Sequence, residues 1–330
     1  MDQNTDLHLV TGADGFIGSH LVETLLSQGK KVRALCLYNS IGHLGWLEGI
    51  KHENLEIILG DIRDPEICKN LVTNVSTIFN LAALISIPYS YQGPYNFIDT
   101  NVSGGLHLAL AASKESKIRA FVQTSTSEVY GTAITAPISE SHPLQPQSPY
   151  SASKIASDAV VMSIHHSNNL PVILARPFNT YGPRQSARAV IPAIMCQILS
   201  GAKVIKVGDL SPTRDFNFVE DTVAGLIQLS ECSQAIGQAV NIGSGIEYSI
   251  SETFELIAKA CESDVKFEIE NERIRPEGSE VFRLLCDNTK IKGLTGFTSK
   301  FSLVNGLKKT VEWMKKPENL SFYKGDTYLK

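Results

Sequence analysis

The chain has 330 residues, 43% hydrophobic and 19% charged, a globular composition that excludes a disordered, collagen-like or coiled-coil protein. Thirty lysines and arginines against 34 aspartates and glutamates leave a formal net charge of −4, which excludes the broad basic face of a nucleic-acid binder but not a local cationic pocket for a phosphate. No apolar run reaches the roughly 18 residues that span a bilayer, and the start MDQNTDLHLV lacks the pattern of a signal peptide, so the expectation is a cytoplasmic protein with no membrane partner.

Residues 7–11 form an apolar run that predicts a first strand, and the spacing of HLVETLLSQG predicts a helix stopped by Gly29. Between them lies Thr11-Gly12-Ala13-Asp14-Gly15-Phe16-Ile17-Gly18, in the strand-to-helix context of a dinucleotide fingerprint. Gly12 permits the tight turn, Gly15 lets backbone approach a pyrophosphate, and Gly18 lets the helix pack close to the sheet; the free N–H groups at the helix start favour the anion. Residues 31–35 predict a second strand. It runs into Cys36, where an acidic residue would bind the ribose diol of NAD, and a cysteine cannot make that bond. Residues 55–59 predict strand three, followed by Asp61 in Gly60-Asp61-Ile62, which either meets an adenine edge or caps a helix. Residues 77–81 and 120–124 predict strands four and five. Strands separated by helices imply right-handed crossovers and a parallel sheet.

Strand five runs into Thr124-Ser125-Thr126-Ser127-Glu128-Val129-Tyr130-Gly131. A segment rich in proline and serine, residues 137–149, then leads to a helix beginning near Tyr150. Tyr150 and Lys154 are four positions apart and share a helix face. An ammonium beside a phenol stabilises phenolate and lets tyrosine act as a base near neutral pH. Residues 171–175 predict strand six. After Pro183 the elements shorten and charge rises, with helices expected at 189–200, 219–232, 250–261 and 303–314. This divides the chain into a nucleotide-binding domain, 1–181, and a smaller substrate-binding unit, 182–330, across a soft, partly interleaved boundary. The six cysteines show no C-x-x-C spacing and read as reduced core thiols, the histidines show no metal spacing, and no metal is expected.

Together, the glycine loop, Asp61, Thr126 and the Tyr150/Lys154 pair resemble the extended short-chain dehydrogenase/reductase family. Asn80-Leu81-Ala82-Ala83, Asn101-Val102, the run from Arg176 to Arg184, and Arg214-Asp215-Phe216 with Asp221 follow in the family's order. The resemblance implies an α/β fold, a Rossmann-type doubly wound parallel sheet with a smaller C-terminal α/β substrate-binding subdomain. It implies that Gly12, Gly15, Phe16, Ile17, Gly18, Asp61, Ile62, Leu81, Ala82, Ala83, Tyr150 and Lys154 bind a nicotinamide dinucleotide. It further implies that Ser86, Asn179, Arg184, Arg214 and Arg275 hold a nucleotide sugar. Tyr150 would take a proton from a sugar hydroxyl as hydride leaves the same carbon, Lys154 would hold the ribose and lower the tyrosine pKa, and Thr126 would bond the same sugar oxygen. A homodimer through the helices bearing Asn101 and Tyr150 is implied as well.

Glu128 separates the subfamilies. Sugar 4-epimerases of the family usually carry small or apolar residues there, whereas a 4,6-dehydratase needs a carboxylate that can take the C5 proton once C4 is oxidised. Ser127 departs from dehydratases resembling the dTDP-glucose enzyme, which have aspartate there; Thr-Ser-Glu resembles GDP-mannose 4,6-dehydratase. Ser127, a water or Glu128 itself would then protonate the leaving C6 hydroxyl. Residues 34–40, 45–47 and 86–91, with Arg275-Pro276, Ser279-Glu280-Val281 and Tyr323-Lys324, look like the dehydratases of legionaminic-acid biosynthesis, which act on a nucleotide-activated N-acetylglucosamine. That subgroup implies NAD despite Cys36, with NADP as the alternative. The expected function is an NAD-dependent 4,6-dehydratase of GDP- or UDP-N-acetylglucosamine; the alternatives are a nucleotide-sugar 4-epimerase and a non-enzymatic NAD-dependent sensor or scaffold.

Overall fold

The computed structural model describes residues 6–274 and 276–323. The β-branched runs of the first half form six strands: β1 (Leu7–Thr11), β2 (Lys31–Leu37), β3 (Leu55–Gly60), β4 (Val75–Asn80), β5 (Ala120–Thr124) and β6 (Val172–Pro177). They lie parallel in the order β6-β5-β4-β1-β2-β3, and a seventh strand, Ala239–Ile242, extends the sheet beyond β6. This is the doubly wound sheet expected from the sequence. The order reverses between β1 and β4, so the ligand crevice opens at the carboxyl ends of these two strands.

Several strand bounds differ from the sequence reading, β3 ending at Gly60, β4 beginning at Val75 and β6 spanning Val172–Pro177, and two of the ends have a visible physical reason. β2 runs on to Leu37, because its last residues pair with β3 up to Gly60. β4 stops at Asn80 instead of Leu81, because the amides of Leu81 and Ala82 leave the ladder to bond the Thr11 hydroxyl. The strand Ala239–Ile242 lies beyond residue 181 in sequence, and the helix Val219–Ser230 packs on β5 and β6 as well as on the first helix, Phe16–Ser27. Both faces of the sheet are therefore covered by apolar side chains, in two large buried clusters.

A second, smaller sheet is centred on the strand Thr213–Phe218, flanked by Glu247–Ser249 and Arg283–Leu284 and paired also with Asn179–Tyr181. It takes in the segment just after β6. The remaining expected helices form at Val190–Leu199, Ile250–Ala260 and Leu303–Met314. None of the helices among the described residues is long and apolar enough to cross a membrane.

The helix Pro149–Asn168 positions the chemistry. Ser148 and Ser151 form a reciprocal capping box, Pro149 supplies the preset φ of the first turn, and Asn169 ends the helix in the left-handed region at φ 58°. Its buried face carries Tyr150, Ser153, Lys154, Ser157, Asp158, Val161 and Ile164, the three-and-four spacing of one helical stripe.

Candidate active site

The glycine loop is shaped by contacts that exclude side chains. Gly12 has φ +64°, and a Cβ there would lie 2.9 Å from the Ala82 amide nitrogen. At Gly18 a Cβ would sit 2.1 Å from the Gly12 carbonyl oxygen, so only glycine lets the helix begin this close to the loop. Gly15 is exposed, and the helix it opens has no side-chain cap and no acid in its first turn. Its N–H groups, Phe16 and Ile17 among them, are left for an anion. Thr11 locks the other wall: its hydroxyl donates to Asn80 Oδ1 at 2.7 Å and accepts the Leu81 and Ala82 amides at 3.1 Å each. Uncapped amides over a glycine turn at the switch point fit the diphosphate of a dinucleotide.

At the adenosine end, Cys36 is fully buried, and burial pushes its thiol up to about 12. It makes no polar ligand. Asp61 follows β3 and accepts from Arg63, through its amide at 2.9 Å and its guanidinium at 2.6 Å. The helix cap is Asp64, whose carboxylate accepts the Glu66 amide at 2.8 Å, which leaves Asp61 free of that role. Ile62 is buried, and its side chain packs where a Cβ on Gly104 would have to go, so only its main chain is available to a ligand.

Thr126, Ser127, Glu128, Tyr150 and Lys154 come together beyond β5. Thr126 caps a short 3-10 turn, Ser127–Tyr130, its hydroxyl accepting the Glu128 amide at 3.2 Å and bonding the Tyr150 phenol. Glu128 is only 9% exposed, so it is no solvated surface carboxylate. Lys154 donates to the Thr124 carbonyl at 2.7 Å. Burial pushes the Tyr150 phenol up against the pull of Thr126, and pushes the Lys154 ammonium down against the pull of Asp158. Burial outweighs the lowering of the phenol expected from the Tyr150/Lys154 spacing.

Two groups that the sequence reading gave no role support this cluster. Asn101 accepts the Leu84 amide at 2.8 Å and donates to Ser153 Oγ at 2.9 Å, tying the segment after β4 to the helix Pro149–Asn168. Asp158 accepts from Ser125 at 2.7 Å and pairs with Arg176 at 3.3 Å, both side chains buried. Its four-residue spacing from Lys154 was visible in the sequence. Its partner, 18 residues on and carried by β6, was not.

The expected sugar-binding residues are placed less uniformly. Asn179 Oδ1 is buried with no hydrogen-bond partner among the described residues. Arg214 is buried, donating to the Thr213 carbonyl and to Glu280 at 3.1 Å. Arg184 pairs with Glu23 of the first helix at 2.9 Å, so it is engaged away from the Thr126–Tyr150 cluster. Ser86 caps the helix Ile87–Gln92. Arg275 and Lys324 lie outside the described residues. The hydroxyls of Tyr91 and Ser279 bond each other, joining the segment after Ser86 to the chain that follows Pro276. The described residues contain no group of His, Cys, Asp and Glu able to hold a metal ion.

Residues 9–310 match the sequence model of a family described as GDP-mannose 4,6 dehydratase. The low-salt glycan biosynthesis protein Agl12 of Haloferax volcanii is 36% identical over 311 residues, covering 92% of this chain and 97% of that protein. A UDP-glucose 4-epimerase of Mycolicibacterium smegmatis is 34% identical, over 93% of this chain and 98% of its own. Among solved structures, dTDP-glucose 4,6-dehydratase from Bacillus anthracis in complex with NAD superposes with a TM-score of 0.83 at 30% identity, covering 96% of this chain and 98% of that one.

Proposed function

This chain belongs to the GDP-mannose 4,6-dehydratase family, and on that premise we propose that it is an NAD-dependent 4,6-dehydratase of a nucleotide-activated N-acetylglucosamine, GDP- or UDP-linked. The observation that carries the dehydratase reading is Glu128, buried beside Thr126 with its charge felt by the Tyr150 phenol. A 4-epimerase only removes and returns a hydride and has no work for that carboxylate.

NAD, when bound, accepts hydride from C4 and returns it to C6. Gly12, Gly15 and the amides of Phe16 and Ile17 hold its diphosphate, Gly18 sets the helix behind it, and Leu81, Ala82 and Ala83 line the wall beside it. Asp61 and the Ile62 main chain face the adenine. Lys154 holds the nicotinamide-side ribose. Tyr150, with Thr126 on the same oxygen, takes the O4 proton as C4 becomes a ketone. Glu128 then takes the C5 proton, now acidified by that ketone, and the C6 hydroxyl leaves as water with a proton from Ser127, a water or Glu128. After hydride returns to C6 and a proton to C5, the net change is loss of one water and a 4-keto-6-deoxy sugar. Asn179, Arg214 and Arg275 engage the diphosphate and Ser86 the sugar; Arg184 joins them only by releasing Glu23.

The substrate assignment draws on residues 34–40, 45–47 and 86–91 and their likeness to dehydratases of legionaminic-acid biosynthesis. The Tyr91–Ser279 contact supports it by bringing residues 86–91 to the Ser279-Glu280-Val281 stretch, which shares that likeness. Incubation with UDP-, GDP-, CDP- and dTDP-sugars, read by mass spectrometry, tests the reaction: a product lighter by one water is expected from an N-acetylglucosamine nucleotide. Unchanged mass with inverted C4 would establish the epimerase reading, which the mycobacterial relative favours. Binding without turnover would leave the sensor or scaffold.

We also propose a homodimer. Ile85, Tyr89, Tyr91, Tyr95 and Ile98 are exposed along the segment that leads into the helix Gly105–Ala112, which packs beside Pro149–Asn168. Large apolar side chains gathered on one run of helices are the material of a subunit interface. Sedimentation at micromolar concentration should give a dimer, and a monomer would refute it.

A further inference from the structure

The end of β2 lacks the acid that a NAD site needs, and Cys36 is sealed in the core. A carboxylate nevertheless stands there. Asp14, in the middle of the glycine loop, reaches across so that its Oδ2 accepts the Leu37 amide at 3.4 Å, at the carboxyl end of β2. Register places Thr11 of β1 opposite Leu35 of β2, which sets the loop directly over this end.

The surrounding chain is built to hold Asp14 in place. The Trp46 amide donates to the Asp14 carbonyl at 3.0 Å, and Gly45 lies so close that a Cβ on it would come within 2.4 Å of that oxygen and 2.7 Å of the Asp14 Cβ. Gly45 has φ +58°, so glycine is required there on both counts. The Trp46 ring is wedged edge-on against Trp313 and Phe322. Among the described residues no cation pairs with the Asp14 carboxylate, and burial raises its pKa. The arginine of β2, Arg33, is committed to Glu56 and to the carbonyls of Leu71 and Thr73.

We infer that Asp14 is the residue that accepts the adenosine 2′-hydroxyl and selects NAD over NADP, the carboxylate having moved from the end of β2 into the glycine loop. A ribose diol supplies a hydroxyl donor to a carboxylate that otherwise accepts only from main-chain amides. A 2′-phosphate would meet a negative charge at the same point, with Arg33, the arginine of β2, already committed elsewhere. The inference rests on the reading of NAD as cofactor.

Its test measures binding alone, so a failed dehydratase assay leaves the result unaffected. NADH and NADPH are titrated into the purified protein and into Asp14→Asn and Asp14→Ala variants, with nucleotide fluorescence as the readout and thermal melting as the fold control. The unaltered protein should prefer NADH. Each variant should lose about tenfold or more of its NADH affinity, the scale of a charged hydrogen bond, while NADPH binding holds or improves, so the preference shrinks by the same factor. An unchanged ratio, or a parallel fall for both nucleotides, would overturn the assignment and leave Asp14 as a loop brace. Should the variants not fold, reduced NAD lacking the adenosine 2′-hydroxyl serves as the probe on the unaltered protein; binding equal to that of NADH would refute the proposal.

Discussion

The ammonium of Lys154 rests 2.7 Å from the main-chain carbonyl of Thr124, the last residue of β5, and so ties the catalytic helix to the carboxyl end of the strand that leads into Thr126. Burial lowers the affinity of Lys154 for its proton and raises that of Tyr150. The two shifts act on opposite limbs of a pH profile. Rate rises with pH as the phenol ionises and falls once the ammonium is lost. Lys154→Met should lower turnover by roughly 10²–10⁴-fold and move the rising limb of kcat/KM to higher pH, since the phenolate loses its nearby cation. A rising limb that stays where it was would remove Lys154 from the tuning of Tyr150.

Glu128 is predicted to act after the oxidation. Glu128→Gln keeps the size and the buried position but cannot take the C5 proton. Reduced nicotinamide should therefore appear in a single turnover at a near-normal rate, while release of 4-keto-6-deoxy product falls by about 10²–10⁴-fold. Stopped-flow absorbance and product mass spectrometry separate the two steps. Full turnover by this variant would reassign the C5 base.

How far these residues could be read from the chain depends on whether their partners are local. The six strands and the capped helix carrying Tyr150 and Lys154 follow from periodicity and from neighbours within one turn, so they were legible. The strand Ala239–Ile242 is only four residues long, and its place beside β6 is set by tertiary pairing. The same holds at the site. Glu128 was legible as a residue type, but its burial was not, and the roles of Asn101 and Asp158 depend on Ser153, Leu84 and Arg176, which only folding brings near. In the sequence Asp14 reads as part of a glycine loop, because the strand pattern places the acid at Cys36 and only the fold sets Asp14 across from that end of β2.

The close approach at Gly18 gives a stability prediction. A Cβ there would come 2.1 Å from the Gly12 carbonyl and 2.9 Å from the Ala13 Cα, both backbone, so neither neighbour can rotate away. Gly18→Ala should destabilise the protein by about 1–3 kcal/mol, the usual cost of overpacking, and weaken dinucleotide binding because the helix start is displaced. Gly29→Ala is the contrasting case: nothing lies within 4 Å of its Cβ, and only its φ of +73° opposes the change. Melting temperature and NADH affinity should fall together for Gly18→Ala, while Gly29→Ala alters the melt alone.

The Asp158–Arg176 pair predicts a coupled effect. Arg176 also donates to the Tyr130 phenol at 3.0 Å, which donates to Asn241 Oδ1 at 2.7 Å, so the pair anchors β6, the turn after β5 and the added strand in one buried network. Removing one charge leaves the other desolvated without compensation. Asp158→Ala should cost about 3–5 kcal/mol in urea unfolding, whereas Asp158→Ala combined with Arg176→Met should recover a large part of the loss, because no unpaired charge remains in the core. If the double variant is no more stable than Asp158→Ala alone, the damage comes from lost packing and not from the orphaned guanidinium. The pH response gives an independent check. Burial raises the Asp158 carboxyl above its unfolded value, so its contribution is largest in acid and declines as pH rises through the folded pKa. Replacing it by asparagine should flatten that decline.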